Sequence, residues 1–176
     1  MTREEFLAWV EQQPSGRFER IDGIVVAMAP ERASHNLRKG SARDALRAAI
    51  REAGLTSCVV FGDGMTVQVE DSDFEPDALL YCGPRMPSDA TKVCEPLVLV
   101  EVLSPDSVTR DRATKLRAYF RLPSLQHYLI VWPDEQRIVR HSRLVNGGIA
   151  TQIFVSGDIT LDPPGITTTV EAFYVD

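Results

Sequence analysis

The spacing of apolar residues predicts two helices in the first third of the chain. Residues 2 to 12 begin with Thr2, and Glu5 follows three positions later, which is the arrangement of a capping box. A longer helix is predicted from Ala33 to Ala53, and Gly54 follows it as a suitable C-terminal glycine. Its apolar stripe is predicted to consist of Leu37, Ala45, Leu46, Ala49 and Ile50.

Short apolar runs bounded by turn residues predict the strands of the first half. Asp22-Gly23 separates two such runs and predicts a tight hairpin. Residues 97 to 103 are almost continuously apolar, which is typical of a strand buried on both faces, so we expect this strand at the centre of a sheet. Three further runs are predicted to form a meander: residues 58 to 61, 65 to 69 and 78 to 81.

The second half predicts a strand, helix and strand crossover. Ser104-Pro105-Asp106-Ser107 is expected to open a helix from about Val108 to Arg121, and the apolar run from Tyr128 to Val131 follows as a strand. Two antiparallel strands, residues 137 to 141 and 150 to 155, are predicted after it. These elements together predict an α/β chain with a mixed β-sheet flanked by helices, folded as a single domain over residues 1 to 176.

The composition limits the classes of protein to which this chain can belong. A hydrophobic fraction of 44% in 176 residues suffices for one core, and no apolar run reaches the roughly 18 residues that span a bilayer. We therefore expect no membrane contact and a cytoplasmic location. Cys58, Cys82 and Cys94 form no Cys-x-x-Cys pair, so the sequence predicts neither a disulfide framework nor a zinc knuckle. A net charge of -6 argues against binding nucleic acid by bulk electrostatics, so contact with DNA would be local.

Two carboxylates indicate the candidate chemistry. Glu101 lies in the most apolar strand, where an ionised carboxylate is costly unless a cation or hydrogen-bond donors compensate. An ion pair with an arginine of a neighbouring helix would compensate, and so would partial exposure of the strand. Asp77 follows Pro76 at the start of another strand, where turn chemistry is an equally good explanation of it alone. If the two converge, they favour a hard cation such as Mg²⁺.

Lys115 lies four residues after Asp111 on the helix that follows the Glu101 strand. Alone, the pair would be an exposed ion pair worth about 0.3 kcal/mol. Beside Asp77 and Glu101, an ammonium that orients water and offsets developing phosphate charge is the better interpretation. Glu19 and His35 are candidates for completing the acidic pocket or its outer shell, although a lone histidine is more often a surface or capping residue. Four basic residues form a ridge on the long helix, for which a solvated face is favoured over a phosphate contact: Lys39, Arg43, Arg47 and Arg51.

Several of these segments, taken in order, resemble the Uma-two family, bacterial proteins grouped with the PD-(D/E)XK restriction endonucleases. The resemblance rests on residues 18 to 25, on His35, on Glu75-Pro76-Asp77, on residues 96 to 105 and on residues 111 to 115 with Tyr119. It implies a restriction-endonuclease-like mixed sheet, a Mg²⁺-dependent or Mn²⁺-dependent phosphodiester hydrolase acting on DNA, and a homodimer.

The resemblance also assigns roles to residues. Asp77 and Glu101 would be the metal ligands, Lys115 the water-orienting or transition-state-stabilising cation, and Glu19 a further acidic member, with His35 and Asp111 behind them. The wider motif has a lysine two positions after the glutamate, where this chain has Leu103. That departure keeps open a non-catalytic binding or assembly module with a vestigial acidic metal pocket, and hydrolysis of a small phosphorylated molecule is a third interpretation.

Overall fold

The computed structural model describes residues 1 to 103 and 109 to 175, with the backbone alone for residues 109 to 112. Within these residues the helices are α1 (Arg3–Val10), α2 (Ala33–Glu52), α3 (Thr109–Tyr119) and the 3₁₀ helix Glu171–Tyr174. The strands are β1 (Phe18–Ile21), β2 (Ile24–Ala27), β3 (Cys58–Gly62), β4 (Val67–Val69), β5 (Ser72–Phe74), β6 (Ala78–Cys82), β7 (Val98–Val102), β8 (His127–Val131), β9 (Ile138–Arg143), β10 (Ile149–Phe154), β11 (Asp158–Leu161) and β12 (Ile166–Thr169).

Six strands form the main sheet in the order β10-β9-β8-β7-β6-β3. The β7 and β8 pair is parallel and the other pairs of this sheet are antiparallel, so α3 lies in a crossover connection between two parallel strands. A second sheet has the order β2-β1-β5-β4, and β11 pairs with β12. The predicted mixed sheet with flanking helices is confirmed, and β7 is an inner strand as expected.

Alternate residues of β7 pack into two different cores. Val98 and Val100 belong to a core that includes α2 and the 3₁₀ helix, whereas Leu99 belongs to a core with Tyr119 and Phe74. A strand with a core on each face must be apolar at successive positions, which explains the continuous run. Glu101 shares the parity of Leu99, and its side chain contacts α3 on that face.

Local signals explain most element boundaries. Thr2 and Glu5 form the predicted capping box at the start of α1. Asp22 and Gly23 both have positive φ, at 50° and 76°, as a tight turn between β1 and β2 requires. Gly54, at φ 67°, follows α2. The predicted opening of the third helix, residues 104 to 108, lies outside the described residues.

The predicted meander is wrong. β3 pairs with β6, whereas the run from residue 65 contributes β4 to the other sheet, where it pairs with β5. The sequence did not predict β5 because Ser72–Phe74 lies in an acidic segment. Its Asp73 is buried and forms an ion pair with Arg20 at 2.7 Å. Because this pairing offsets the cost of burying the charge, a polar strand can lie inside the protein.

Leu37 does not belong to the buried stripe of α2, because it is 56% exposed. At 100° per residue it lies about 140° away from Ala42, which is fully buried at the centre of the stripe. Ala45, Leu46 and Ala49 are buried as predicted.

The cysteine prediction is wrong for two of the three residues. Cys58 and Cys82 are directly paired between β3 and β6 and form a disulfide, whereas Cys94 is free and exposed. They are 24 residues apart, and the register that aligns them follows from the sheet rather than from cysteine spacing. Among the described helices, none combines the length and the apolar character needed to cross a lipid bilayer.

Candidate active site

Asp77 and Glu101 come from neighbouring strands of the main sheet. Antiparallel pairing joins Ala78 to Val100 as the last pair of the ladder, and Asp77 and Glu101 are the residues that adjoin this pair. The backbone N–H of Val102 donates to Asp77 Oδ2 at 2.7 Å and fixes this carboxylate against the end of β7. Asp77 and Glu101 therefore lie at the same end of the β6 and β7 pair.

Lys115 of α3 joins Glu101 to Glu19. Its Nζ lies 3.0 Å from Glu101 Oε1 and 3.0 Å from Glu19 Oε1. Tyr119, one turn further along α3, donates its hydroxyl to the same Glu101 oxygen at 2.7 Å. The backbone N–H of Glu75 donates to Glu19 Oε1 at 3.0 Å, so β1, β7 and α3 meet at this lysine.

Two side chains of α2 reach Asp77. His35 Nε2 lies 3.7 Å from Asp77 Oδ2, and Lys39 Nζ lies 3.3 Å from Asp77 Oδ1. The two residues share a helix face because they are four positions apart. His35 Nε2 also lies 2.8 Å from the carbonyl oxygen of Val102, which can only accept, so this nitrogen carries a proton. α2 thereby approaches the same carboxylate that β7 fixes.

Four charged side chains form a rim network over Lys39: Arg17, Glu31, Asp63 and Glu75. Lys39 Nζ contacts Glu31 and lies 2.6 Å from Asp63 Oδ2. Arg17 pairs with the same two acids, at 3.0 Å and 2.8 Å, and with Glu75 at 2.7 Å. These rim side chains are 22 to 38% exposed, whereas Lys39 is only 5% exposed. Lys39 therefore lies beneath the network.

Burial dominates the proton affinities of the inner acids. It raises the pKa of Glu19, Asp77 and Glu101, although Lys115 opposes the rise at both glutamates and Lys39 opposes it at Asp77. The negative charge of Asp77 further raises the pKa of Glu101, so the two carboxylates sense each other. The pKa of Tyr119 is raised well above its usual value by burial, and its hydroxyl therefore keeps the proton that it donates to Glu101.

The donors present fit a divalent cation. Among the described side chains of the site and its rim, the acids are Glu19, Glu31, Asp63, Glu75, Asp77 and Glu101, and the cations are Arg17, Lys39 and Lys115. Acidic side chains thus outnumber basic ones by three, which favours a further cation. Carboxylate oxygens are the ligands that Mg²⁺ and Mn²⁺ prefer. Among the described residues, the ligand atoms that lie within 4.8 Å of one another are those of Glu31, His35 and Asp77, and this cluster does not include Glu101.

Sequence reasoning placed five residues at this site that the structure brings there: Glu19, His35, Asp77, Glu101 and Lys115. The arginine partner considered for Glu101 is replaced by Lys115. The side chain of Asp111 lies outside the described residues.

Lys39 was missed, because it was assigned to a solvated ridge of α2. Residues four apart drift by about 40° around a helix. The ridge consequently passes from Lys39, which is buried, through Arg43, which is partly buried, to Arg47 and Arg51, which are exposed. The signal was the proximity of Lys39 to the buried stripe. Glu31 and Asp63 gave no comparable signal, since both lie in polar loop segments.

Comparison with known proteins places the chain among nuclease-like proteins. A family model named Uma2, described as "Putative restriction endonuclease", matches residues 3 to 172. An uncharacterized protein from Synechocystis sp. is 27% identical over 178 residues, which cover 99% of this chain and 91% of that protein. A crystal structure described as "a putative nuclease belonging to DUF820" from Anabaena variabilis superposes with a TM-score of 0.78 at 14% identity, covering 99% of this chain and 97% of that chain. That likeness shows a shared fold. Because the family model spans nearly its whole length, the chain belongs to the Uma2 family of restriction-endonuclease-like proteins.

Proposed function

We propose that this protein is a divalent-metal-dependent endonuclease that hydrolyses phosphodiester bonds in DNA. The observation that carries the proposal is that Lys39 pairs with Asp77 while Lys115 pairs with both Glu101 and Glu19, all of them buried or largely buried side chains. Three buried acids and two buried lysines form a costly arrangement that a protein fold does not need for stability. Membership of the Uma2 family supports a catalytic role for that arrangement.

Each side chain has a role in the proposal. Asp77 and Glu101 would hold Mg²⁺ or Mn²⁺, which supplies a Lewis acid and lowers the pKa of a coordinated water. Asp77 is oriented for this by the Val102 N–H, and Glu101 by the Tyr119 hydroxyl. Lys115 is positioned to orient water and to offset negative charge that develops on the phosphate. Glu19 holds the Lys115 ammonium at 3.0 Å.

The position of Lys115 compensates for the missing strand lysine. Leu103 occupies the place two residues after Glu101, yet an ammonium still reaches the Glu101 carboxylate from α3. This geometry favours an active site over a vestigial pocket, since a relocated lysine keeps its contact with the acid.

The proposal also takes DNA as the substrate, a homodimer as the assembly and the cytoplasm as the location. The net charge of -6 requires that contacts with the phosphate backbone be local. A dimer would present two such sites to a duplex.

Nicking of supercoiled plasmid in Mg²⁺ or Mn²⁺ tests the function. The parent protein should nick DNA, and Asp77→Ala and Glu101→Ala should each reduce nicking at least about a hundredfold, since each removes a ligand of the same ion. Equal nicking by all three proteins would exclude this site as its source. Absence of nicking by a parent protein that binds Mn²⁺ would favour the non-catalytic module or a smaller phosphate ester.

A further inference from the structure

We propose that Lys39 sets the affinity of the site for its divalent cation by competing with that cation for Asp77. The inference rests on the proposed function, because it takes Asp77 as a metal ligand. Lys39 is 5% exposed and lies on α2, in the ridge whose other members face increasingly toward solvent. It belongs neither to the sheet nor to the group around Lys115.

The competition follows from the two oxygens of Asp77. Oδ2 accepts the Val102 N–H at 2.7 Å, and Oδ1 lies 3.3 Å from the Lys39 ammonium. A cation that binds this carboxylate meets a positive charge already paired with it. Repulsion between charges a few ångströms apart remains substantial even at an effective dielectric constant of about 20. The ammonium therefore weakens cation binding unless it can shift away from Asp77.

The rim network provides the alternative partners. Lys39 Nζ lies 2.6 Å from Asp63 Oδ2, closer than its 3.3 Å distance from Asp77, and it contacts Glu31 as well. Arg17 pairs with both of these acids and holds them in place. Lys39 can thus lose its contact with Asp77 and still remain paired with Glu31 and Asp63. The balance between Asp77 and Asp63 as its partner then determines the cation affinity.

A purely structural role for Lys39 predicts the opposite effect. If the ammonium served to orient Asp77, its removal would weaken cation binding. Asp77 keeps two other contacts on α2 and β7, however, because the Val102 N–H fixes Oδ2 and His35 lies 3.7 Å from the same oxygen. Removal of Lys39 should therefore leave the carboxylate in place and expose it to the cation.

Calorimetric titration of the full-length protein with Mn²⁺ separates these roles. Lys39→Met should bind Mn²⁺ at least about tenfold more tightly than the parent, since it removes the competing charge. Lys39→Arg keeps the charge and should stay within about threefold of the parent. Asp77→Asn should abolish binding at the site. Unchanged or weaker binding by a folded Lys39→Met, with binding still lost in Asp77→Asn, would overturn the inference and leave the proposed function standing. Absence of Mn²⁺ binding in every protein would overturn both.

A double-mutant cycle with Asp63 provides the second measurement. Asp63 attracts the cation directly in any background, but it also draws Lys39 away from Asp77 only where the lysine is present. Asp63→Asn should therefore weaken Mn²⁺ binding by a larger factor in the parent than in Lys39→Met. Equal factors would overturn the inference. If Lys39→Met fails to fold by circular dichroism, Lys39→Gln removes the same charge and replaces it in both measurements, with the same expected results and the same contradicting ones.

Discussion

Asp77 and Glu101 adjoin Ala78 and Val100, the last residue pair of the antiparallel register between β6 and β7. The two acids are 24 positions apart in the sequence, and each is held by a lysine from a different helix. Lys39 of α2 pairs with Asp77, and Lys115 of α3 pairs with Glu101. The site thus consists of two acid and lysine pairs joined by one strand register.

Removal of the Lys115 ammonium should separate catalysis from cation binding. Lys115→Met is expected to lower plasmid nicking by about a hundredfold or more, because a preorganised positive charge beside the reacting phosphate is lost. Mn²⁺ binding should persist, since Asp77 and Glu101 are unchanged. Lys92→Met, which alters an exposed lysine, is the matched control and should nick normally. Unimpaired nicking by folded Lys115→Met would remove this residue from the proposed mechanism.

The hydroxyl of Tyr119 should stabilise the fold through Glu101. Tyr119→Phe removes a hydrogen bond of 2.7 Å to a largely buried carboxylate and is expected to lower the free energy of unfolding by roughly 1.5 to 3 kcal/mol. Its ring contacts with Phe74 and Tyr128 remain. Urea unfolding measures the change. Tyr81→Phe, which removes a surface hydroxyl bonded to the Pro84 carbonyl, should cost less than about 0.5 kcal/mol. Equal losses would contradict a special role for the buried bond.

The sequence predicted the fold best where one physical rule acts locally. Capping by Thr2, the Asp22-Gly23 turn and the apolar run of β7 each depend on a few neighbouring residues, and each is found in the structure. The meander failed because strand partners are chosen by long-range packing. Between β3 and β6 in the sequence lie β4 and β5, which belong to another sheet, and no local signal shows that the chain changes sheets there.

The site was predicted from residue types, and its electrostatics required coordinates. A carboxylate in an apolar strand made Glu101 conspicuous, and Lys115 followed from its helix position. Lys39 and Asp63 were not distinguishable from ordinary charged surface residues. The burial of Lys39 depends on how the α2 ridge turns around the helix, and the contact of Asp63 depends on where the loop after β3 lies. Their ion pair at 2.6 Å arises from tertiary structure alone.

Buried His127 should make stability depend on pH. Burial lowers its pKa to about 4 from 6.5, while its ring contacts Ser142 and the Pro163 carbonyl. The folded state therefore disfavours the protonated form, so its contribution to stability is complete above pH 6.5 and is lost as pH falls toward 4. The parent should lose roughly 1 to 3 kcal/mol more than His127→Gln between pH 7 and pH 4.5.

Urea unfolding of both proteins at the two pH values measures this difference. The raised pKa values of Glu19, Asp77 and Glu101 have the opposite effect on the free energy of unfolding. They stabilise the folded state as pH falls, because those groups bind protons more readily in the folded state. They are present in both proteins and cancel in the comparison. Parallel pH profiles for the two proteins would contradict the assignment to His127.

The Cys58 and Cys82 disulfide should stabilise the edge of the main sheet. Closing a loop between residues 24 apart is worth about 3 kcal/mol in the chain-entropy account, so Cys58→Ser should lower the free energy of unfolding by an amount of that order. Cys94→Ser, at an exposed free thiol, should have little effect. Thiol titration of the denatured, unreduced protein should find one thiol. Finding three would contradict the disulfide.

The location of a bound cation tests the central claim most directly. In a crystal soaked with Mn²⁺, an anomalous difference map should show a peak within roughly 2.0 to 2.4 Å of a carboxylate oxygen of Asp77 and of Glu101, as expected for direct coordination. The same peak should be absent from a crystal of Asp77→Asn. A peak that touches only one of the two acids, or Mn²⁺ held by Glu31 and His35 without Glu101, would contradict the shared-ion account.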